Sequence, residues 1–251
     1  MENKVIKFKL SGDYALFKKP FANNQPQSFV IPPKTAILGL IGAIMGWSKE
    51  DYIKNLPFNT FGYAVRLLTS KIKKETVGIN LMQGKNGKFT CNENPISHPS
   101  PDRGQRSPTR YEFIKDIEWE VFLLIDNQSI REELFERLLK KVFVYNPNLG
   151  MQQLFARIDM DENDLFAVEL AKELNDNLYT SFDKNMVKFI ISKPVAFYNE
   201  LIPISFNNDR SLPVTREMIS FVGDYSLKIT NKDELKEKLY ADNDGLLYQF
   251  I

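Results

Sequence analysis

Residues 28–47, SFVIPPKTAILGLIGAIMGW, constrain the fold of this chain more than any other stretch. They are nearly all apolar and punctuated by glycine, in a chain whose mean hydropathy is -0.31. Such a segment can be a membrane anchor, a phosphate-binding loop or a helix buried on every side. The apolar run Ala36–Trp47 has 12 residues, whereas a spanning helix needs about 20. A phosphate-binding loop ends in Gly-Lys-Ser/Thr, so that the lysine meets phosphates and the hydroxyl meets magnesium. Here Gly46 is followed by Trp47, and the triplet occurs nowhere in the chain. What remains is a buried helix laid on a sheet. Pro32 and Pro33 force extended backbone before it, and Thr35 offers an N-cap, so the helix is expected to start near Thr35. Gly39, Gly42 and Gly46 share one face, where they let another backbone approach closely. Ile37, Leu38, Leu40, Ile41, Ile44 and Met45 cover the rest.

Flanking segments supply the sheet. In KVIKFKL (Lys4–Leu10), Ile6, Phe8 and Leu10 alternate with Lys7 and Lys9, the pattern of a half-buried strand. Phe61–Thr69 reads as a second strand. Ile117–Ile125 reads as a third, with Trp119, Val121, Leu123 and Ile125 on one side. Ser129–Val142 is an amphipathic helix: Ser129 and Glu132 make a capping-box pattern, and Glu133/Arg137 and Glu136/Lys140 are spaced for ion pairs. A short strand, Val142–Tyr145, is expected after it. The order strand, helix, strand, strand, helix, strand predicts an α+β chain with a ferredoxin-like (RRM-like) βαββαβ domain over residues 1–158. Residues 159–251 read as a smaller, mainly β extension packed on the same core, with strands at Val187–Ser192 and Val195–Tyr198 and a helix at Leu235–Tyr240.

Residues 70–116 interrupt the domain between its second and third strands. Thr76–Met82 and Lys88–Cys91 flank GKNG, whose Asn86-Gly87 is a tight-turn signal, so an inserted β-hairpin is expected. After it comes NENPISHPSPDRGQRSPTRYEF, rich in Pro, Ser and Asn. Residues 71–115 carry nine Lys+Arg against four Asp+Glu. The whole chain is +1, yet residues 1–115 are +10 and residues 116–251 are −9. A basic half fits a polyanion partner, and an acidic half fits a basic protein surface. Aromatic and basic residues also interleave in the first loop, at Tyr14, Phe17, Lys18, Lys19 and Phe21. That mixture holds single-stranded RNA, with bases on rings and cations on phosphates.

Catalytic and metal chemistry has little to draw on. His98 is the only histidine and Cys91 the only cysteine, which excludes disulfides, zinc clusters and two-histidine acid/base mechanisms. The acidic run DMDEND (Asp159–Asp164) is not an EF-hand loop, because its sixth and twelfth positions are Asp164 and Leu170 rather than Gly and Glu. His98 reads either as a loop residue between two prolines or as the general base of RNA cleavage, assisted by Tyr111 and Lys115. No metal and no cofactor are expected. With no secretory leader and one cysteine, a cytoplasmic location is expected.

The N-terminal strand, GDYALFKKPF, IPPKTAILGLIGAIMGW, a hairpin insertion, SPTRYEF and YNPNLGMQQLFARI follow one another in an order that resembles the fifth CRISPR-associated protein family of the RAMP superfamily. The resemblance covers about residues 3–158 and is nearest to type I-B subunits. The Pro-Pro-x-Thr helix with trailing glycines and the Asn148–Gly150 turn carry it most specifically. It implies the subunit that caps the crRNA 5′ handle in type I Cascade complexes, with the hairpin as a thumb around the RNA. It implies handle contacts from Tyr14, Lys18 and Lys19, from Arg103, Arg106 and Arg110 on the arm, and from Asn146, Met151 and Gln152 in the turn. The implied partners are a Cascade backbone subunit, the large subunit and, through the complex, target DNA; no membrane is implied. One branch of the family processes precursor crRNA with a tyrosine, a lysine and an adjacent histidine. Here the residue before His98 is Ser97, so a non-catalytic handle binder is expected. Processing by His98, Tyr111 and Lys115, and a purely protein-binding scaffold, are the competing readings.

Overall fold

The alternation in KVIKFKL builds the central strand of the structure, a computed structural model that describes residues 3–22, 25–82, 106–171, 177–191, 195–207, 213–222, 227–236 and 238–251. Strand β1 (Asn3–Ala15) buries Ile6, Phe8 and Leu10 in the main core. Its other face sends Lys7 to Asp164 and Lys9 to Glu118, at 2.7 and 2.9 Å. The strand runs five residues past its expected end. Gly12 permits this: a Cβ there would lie 2.3 Å from the Leu149 Cδ1.

The apolar run forms α1 (Lys34–Met45), buried against the sheet. Among the described residues no helix is long and apolar enough to cross a membrane. Thr35 does not cap it. The N-cap is Pro33, with no side-chain cap, because the two prolines already set extended backbone up to the first helical residue. Lys34 instead turns inward. Its Nζ donates to the main-chain oxygens of Phe58, Phe61 and Ile251 at 2.9, 2.9 and 2.6 Å. Gly46 ends the helix with φ 78°, in the left-handed region that favours glycine.

After the short α2 (Tyr52–Asn55) come β2 (Phe61–Leu67), β3 (Lys73–Met82) and the 20-residue β4 (Arg106–Ile125). Strands β2, β4 and β1 lie side by side, all antiparallel. Beyond β1, β5 (Arg157–Asp159) pairs with its middle at Lys9–Ser11 and β6 (Leu165–Leu170) with its start at Asn3–Ile6, also antiparallel. Helices α1 and α3 (Gln128–Leu139) cover one face, into which Trp119, Val121, Leu123 and Ile125 all point. The opposite face carries Val5, Ala64, Phe122, Leu124 and Val168 under Tyr248. The chain is therefore mixed α/β with a curled antiparallel sheet.

Several expected details differ. Asn127, not Ser129, caps α3, its side chain accepting the Ile130 N–H at 3.2 Å; the expected ion pairs Glu133–Arg137 and Glu136–Lys140 form at 2.9 and 2.5 Å. Val142–Tyr145 is not a strand. Its Val144 and Tyr145 N–H groups donate to the Ile44 and Ala43 carbonyls of α1, which lack helical partners at that end. The strand after α3 is β5. Thr76–Met82 pairs with Arg106–Glu112, while its expected partner Lys88–Cys91 lies outside the described residues.

Toward the C-terminus, β7 (Asn177–Leu178), β9 (Phe189–Ile190), β12 (Leu227–Ile229), β13 (Tyr240–Ala241) and β14 (Leu247–Tyr248) continue the sheet from β6. A second sheet joins β10 (Phe197–Phe206), β11 (Pro213–Phe221) and β8 (Phe182–Asp183), and β10 packs on α1. The helix expected at Leu235–Tyr240 is instead α4 (Lys232–Leu235), followed by the buried Leu239 and then β13. Leu235 and Leu239 both serve the same apolar cluster, so burial rather than helical continuity fixes this stretch.

Candidate nucleic-acid interface

Strand β4 passes from the core into an arm at Asp116, whose φ of 49° is one that aspartate tolerates. On the core side it pairs with β2 and β1; beyond Asp116 its partner is β3, with the end of β1 still alongside through Tyr14↔Lys115 and Ala15↔Ile114. One face of the arm carries Tyr14, Tyr111, Phe113 and Lys115. Tyr111 stacks on Phe113 at 6.2 Å, and Tyr14 meets Phe113 edge-on at 6.0 Å.

Glu75 joins this row. It accepts the Tyr14 hydroxyl at 2.9 Å and the Lys115 ammonium at 3.2 Å. Those two hydrogen bonds, Tyr14's first, hold the Glu75 carboxyl below its usual range. The bond to Glu75 in turn holds the Lys115 ammonium above its usual range. Lys115 is thus a positive charge held in place beside Glu75 and the Tyr14 ring. Lys73 pairs with Asp116 at 3.1 Å and Lys74 with Glu112 at 2.9 Å, so the charge of these two lysines is matched locally. Arg110 is exposed on β4, opposite Gly78. Arg106 heads the strand opposite Met82. Arg103 and His98 lie outside the described residues.

The two lysines of the first loop have separate situations. Lys18 is exposed, its backbone bridged to Ser28. Lys19 pairs with Glu200 of β10 at 2.6 Å, the two side chains only 16% and 9% exposed. The other Glu200 oxygen accepts the Val30 N–H at 2.7 Å. Lys19 therefore ties the loop to the second sheet.

The turn Asn146–Gln153 docks directly on that loop. The Leu16 N–H donates to the Leu149 carbonyl at 2.9 Å. Gly150, at φ 96°, lies so close that a Cβ would sit 2.0 Å from the Leu16 oxygen. The Asn148 side chain accepts the Gly150 N–H at 3.3 Å and shapes the turn. Asn146 and Gln152 are exposed, Met151 half-buried.

Asn146 and Gln152 also line a cleft of about 510 Å³ between α1 and this turn. Its walls include the rings of Trp47, Tyr52, Tyr145 and Phe155, of which Tyr145 and Phe155 are 60% and 62% exposed. Lys49 and Gly39 border it too. The sequence pointed to the two amides but not to the rings. Phe155 sits within the motif YNPNLGMQQLFARI, five residues beyond Gly150, and only the folded turn brings it to the same cleft as Trp47. Among the described residues no group of three or more His, Cys, Asp or Glu side chains is placed to hold a metal ion.

The family model for CRISPR-associated protein (Cas5) matches residues 5–182 of the chain. No curated protein matches it. Among solved structures, a crystal structure of a CRISPR protein from Archaeoglobus fulgidus is similar with a TM-score of 0.50 at 13% identity, covering 99% of this chain and 100% of that one. A chain of a CRISPR RNA-guided surveillance complex has a TM-score of 0.47 at 11% identity, covering 90% and 91%.

Proposed function

The chain belongs to the Cas5 family of CRISPR-associated proteins, and on that premise we propose that it is a non-catalytic RNA-binding subunit of a CRISPR effector complex, holding the crRNA 5′ handle. The antiparallel order β2-β4-β1-β5 with two helices on one face supports a ferredoxin-like core beneath the site. One observation carries the reading: the Leu16–Leu149 hydrogen bond and the Gly150 contact that dock the amide-bearing turn on the Lys18 loop. Segments some 130 residues apart in sequence thereby form one polar, ring-bearing surface. Lys18 there and Arg110 on the arm serve phosphates, while rings and amides serve bases. The exposed acidic positions of the C-terminal half suit contacts with basic surfaces of backbone and large subunits.

RNA cleavage by His98, Tyr111 and Lys115 has less support, since the residue before His98 is Ser97 rather than lysine and Tyr111 is stacked on Phe113. The test is binding of the purified chain to labelled 5′-handle RNA across a salt series, with the same samples run on a gel. The expected result is intact RNA and an affinity that falls steeply and linearly on logarithmic axes as salt rises. Cleavage at one position would move the chain to the processing class, and salt-independent or absent binding would leave a protein scaffold.

A further inference from the structure

Three glycines punctuate α1, and two of them have a structural reason. A Cβ on Gly42 would lie 3.0 Å from the Tyr52 Cβ, and Gly46 needs its positive φ. Gly39 has none: a Cβ there would meet nothing within 4 Å. Glycine inside a helix destabilises it relative to alanine, because it adds freedom to the unfolded chain. The position opens into the cleft bordered by Trp47, Tyr52, Tyr145 and Phe155.

We infer that this cleft receives one unstacked nucleobase of the bound RNA, with Gly39 keeping the helix face clear for it. The inference rests on the RNA-binding reading above and adds a place and a binding mode to it. A volume of about 510 Å³ is ample for a base and its sugar, and falls among those of small-ligand clefts. The rings offer faces for stacking, which every base can use. Asn146 and Gln152 each offer both a carbonyl oxygen and an NH₂ group, the complement of a base edge. The cleft shares the Asn146–Gln153 turn with the surface that meets the Lys18 loop, so a strand crossing that surface passes the opening.

The test uses 5′-handle RNA carrying 2-aminopurine at each position in turn, with the wild-type chain and two variants. Gly39→Leu fills the cleft from a position where no neighbour is disturbed, and Phe155→Ala removes an exposed ring. One position is expected to change fluorescence on binding, and an abasic site there weakens binding roughly tenfold. Both variants are expected to lose that signal, while the thermal midpoint of Gly39→Leu is at or above that of the wild type. If wild type and both variants bind with equal affinity and the same fluorescence profile, the cleft takes no base although the chain binds RNA. If Gly39→Leu keeps its RNA affinity but no longer joins the other subunits of its complex, the occupant is a protein side chain and the inference fails. Wild-type chain without salt-sensitive RNA affinity overturns the parent reading, and this one with it.

Discussion

Gly150 stands against Leu16 with no room for a side chain: a Cβ on it would be 2.0 Å from the Leu16 carbonyl oxygen. Its φ of 96° adds a second reason for glycine. Gly150→Ala is expected to cost roughly 2–4 kcal/mol, as the turn lifts off the first loop and the Leu16–Leu149 hydrogen bond is lost. RNA affinity is expected to fall with it, although the change adds no charge. Urea denaturation and the RNA titration measure the two effects on the same sample. A Gly150→Ala chain with wild-type stability would mean that the turn is not docked as described.

The two adjacent lysines are expected to separate cleanly. Lys19→Met leaves Glu200 buried without its cation and is expected to cost about 3 kcal/mol. Adding Glu200→Gln restores most of that, since the amide oxygen still accepts the Val30 N–H. Lys18→Met is expected to leave stability within about 0.5 kcal/mol, while lowering RNA affinity and reducing the salt slope by about 1. Equal losses of stability from the two single substitutions would contradict the geometry.

Buried Lys34 gives the fold an alkaline signature. Burial, with Arg216 nearby, pulls its pKa from 10.5 to about 8. Between those values the unfolded chain holds a proton that the folded chain has released, so stability rises with pH across pH 8 to 10.5. The difference of 2.5 units sets an upper limit of about 3 kcal/mol. Three main-chain oxygens accept from Nζ, and a neutral amine has only two hydrogens for them, so the rise falls short of that limit. Lys34→Met is expected to be about 3 kcal/mol less stable at pH 7, to lack this rise, and so to fall further behind as the pH increases. Paired urea midpoints at pH 7.5 and 10 check the sign.

Glu75 restrains the arm. Glu75→Gln keeps an oxygen for Tyr14 and Lys115 but removes the charge that neutralises Lys115. Stability is expected to change little, as for other exposed pairs. RNA affinity is expected to rise about two- to fivefold at low salt, and the gain to shrink as salt is added. A weaker complex would indicate that Glu75 itself contacts the ligand.

Periodicity made the core legible. The alternation in KVIKFKL, the apolar side of Ile117–Ile125 and the ion-pair spacing in α3 all appear in the structure, because each depends on neighbours within a few residues. Contacts that depend on distant segments were not legible. Nothing near Lys34 announces main-chain oxygens from Phe58, Phe61 and Ile251, and nothing near Lys19 announces Glu200. Val142–Tyr145 has strand composition, yet the free carbonyls at the end of α1 claim its N–H groups. At the candidate site the sequence pointed to amides and cations by type. The rings of Trp47 and Phe155 became part of it only through a turn whose position Gly150 and Leu16 decide together.

The register of β1 also sets a timetable for synthesis. Val5 lies opposite Leu124 on one side and Phe166 on the other. The first strand therefore leaves the ribosome with neither neighbour in existence. At roughly 5–20 residues per second, some ten to thirty seconds pass before both are available, and through that interval the backbone N–H and C=O groups of the strand lack their sheet partners. A nascent chain of this design needs either shielding by a chaperone or fast closure once residue 168 emerges.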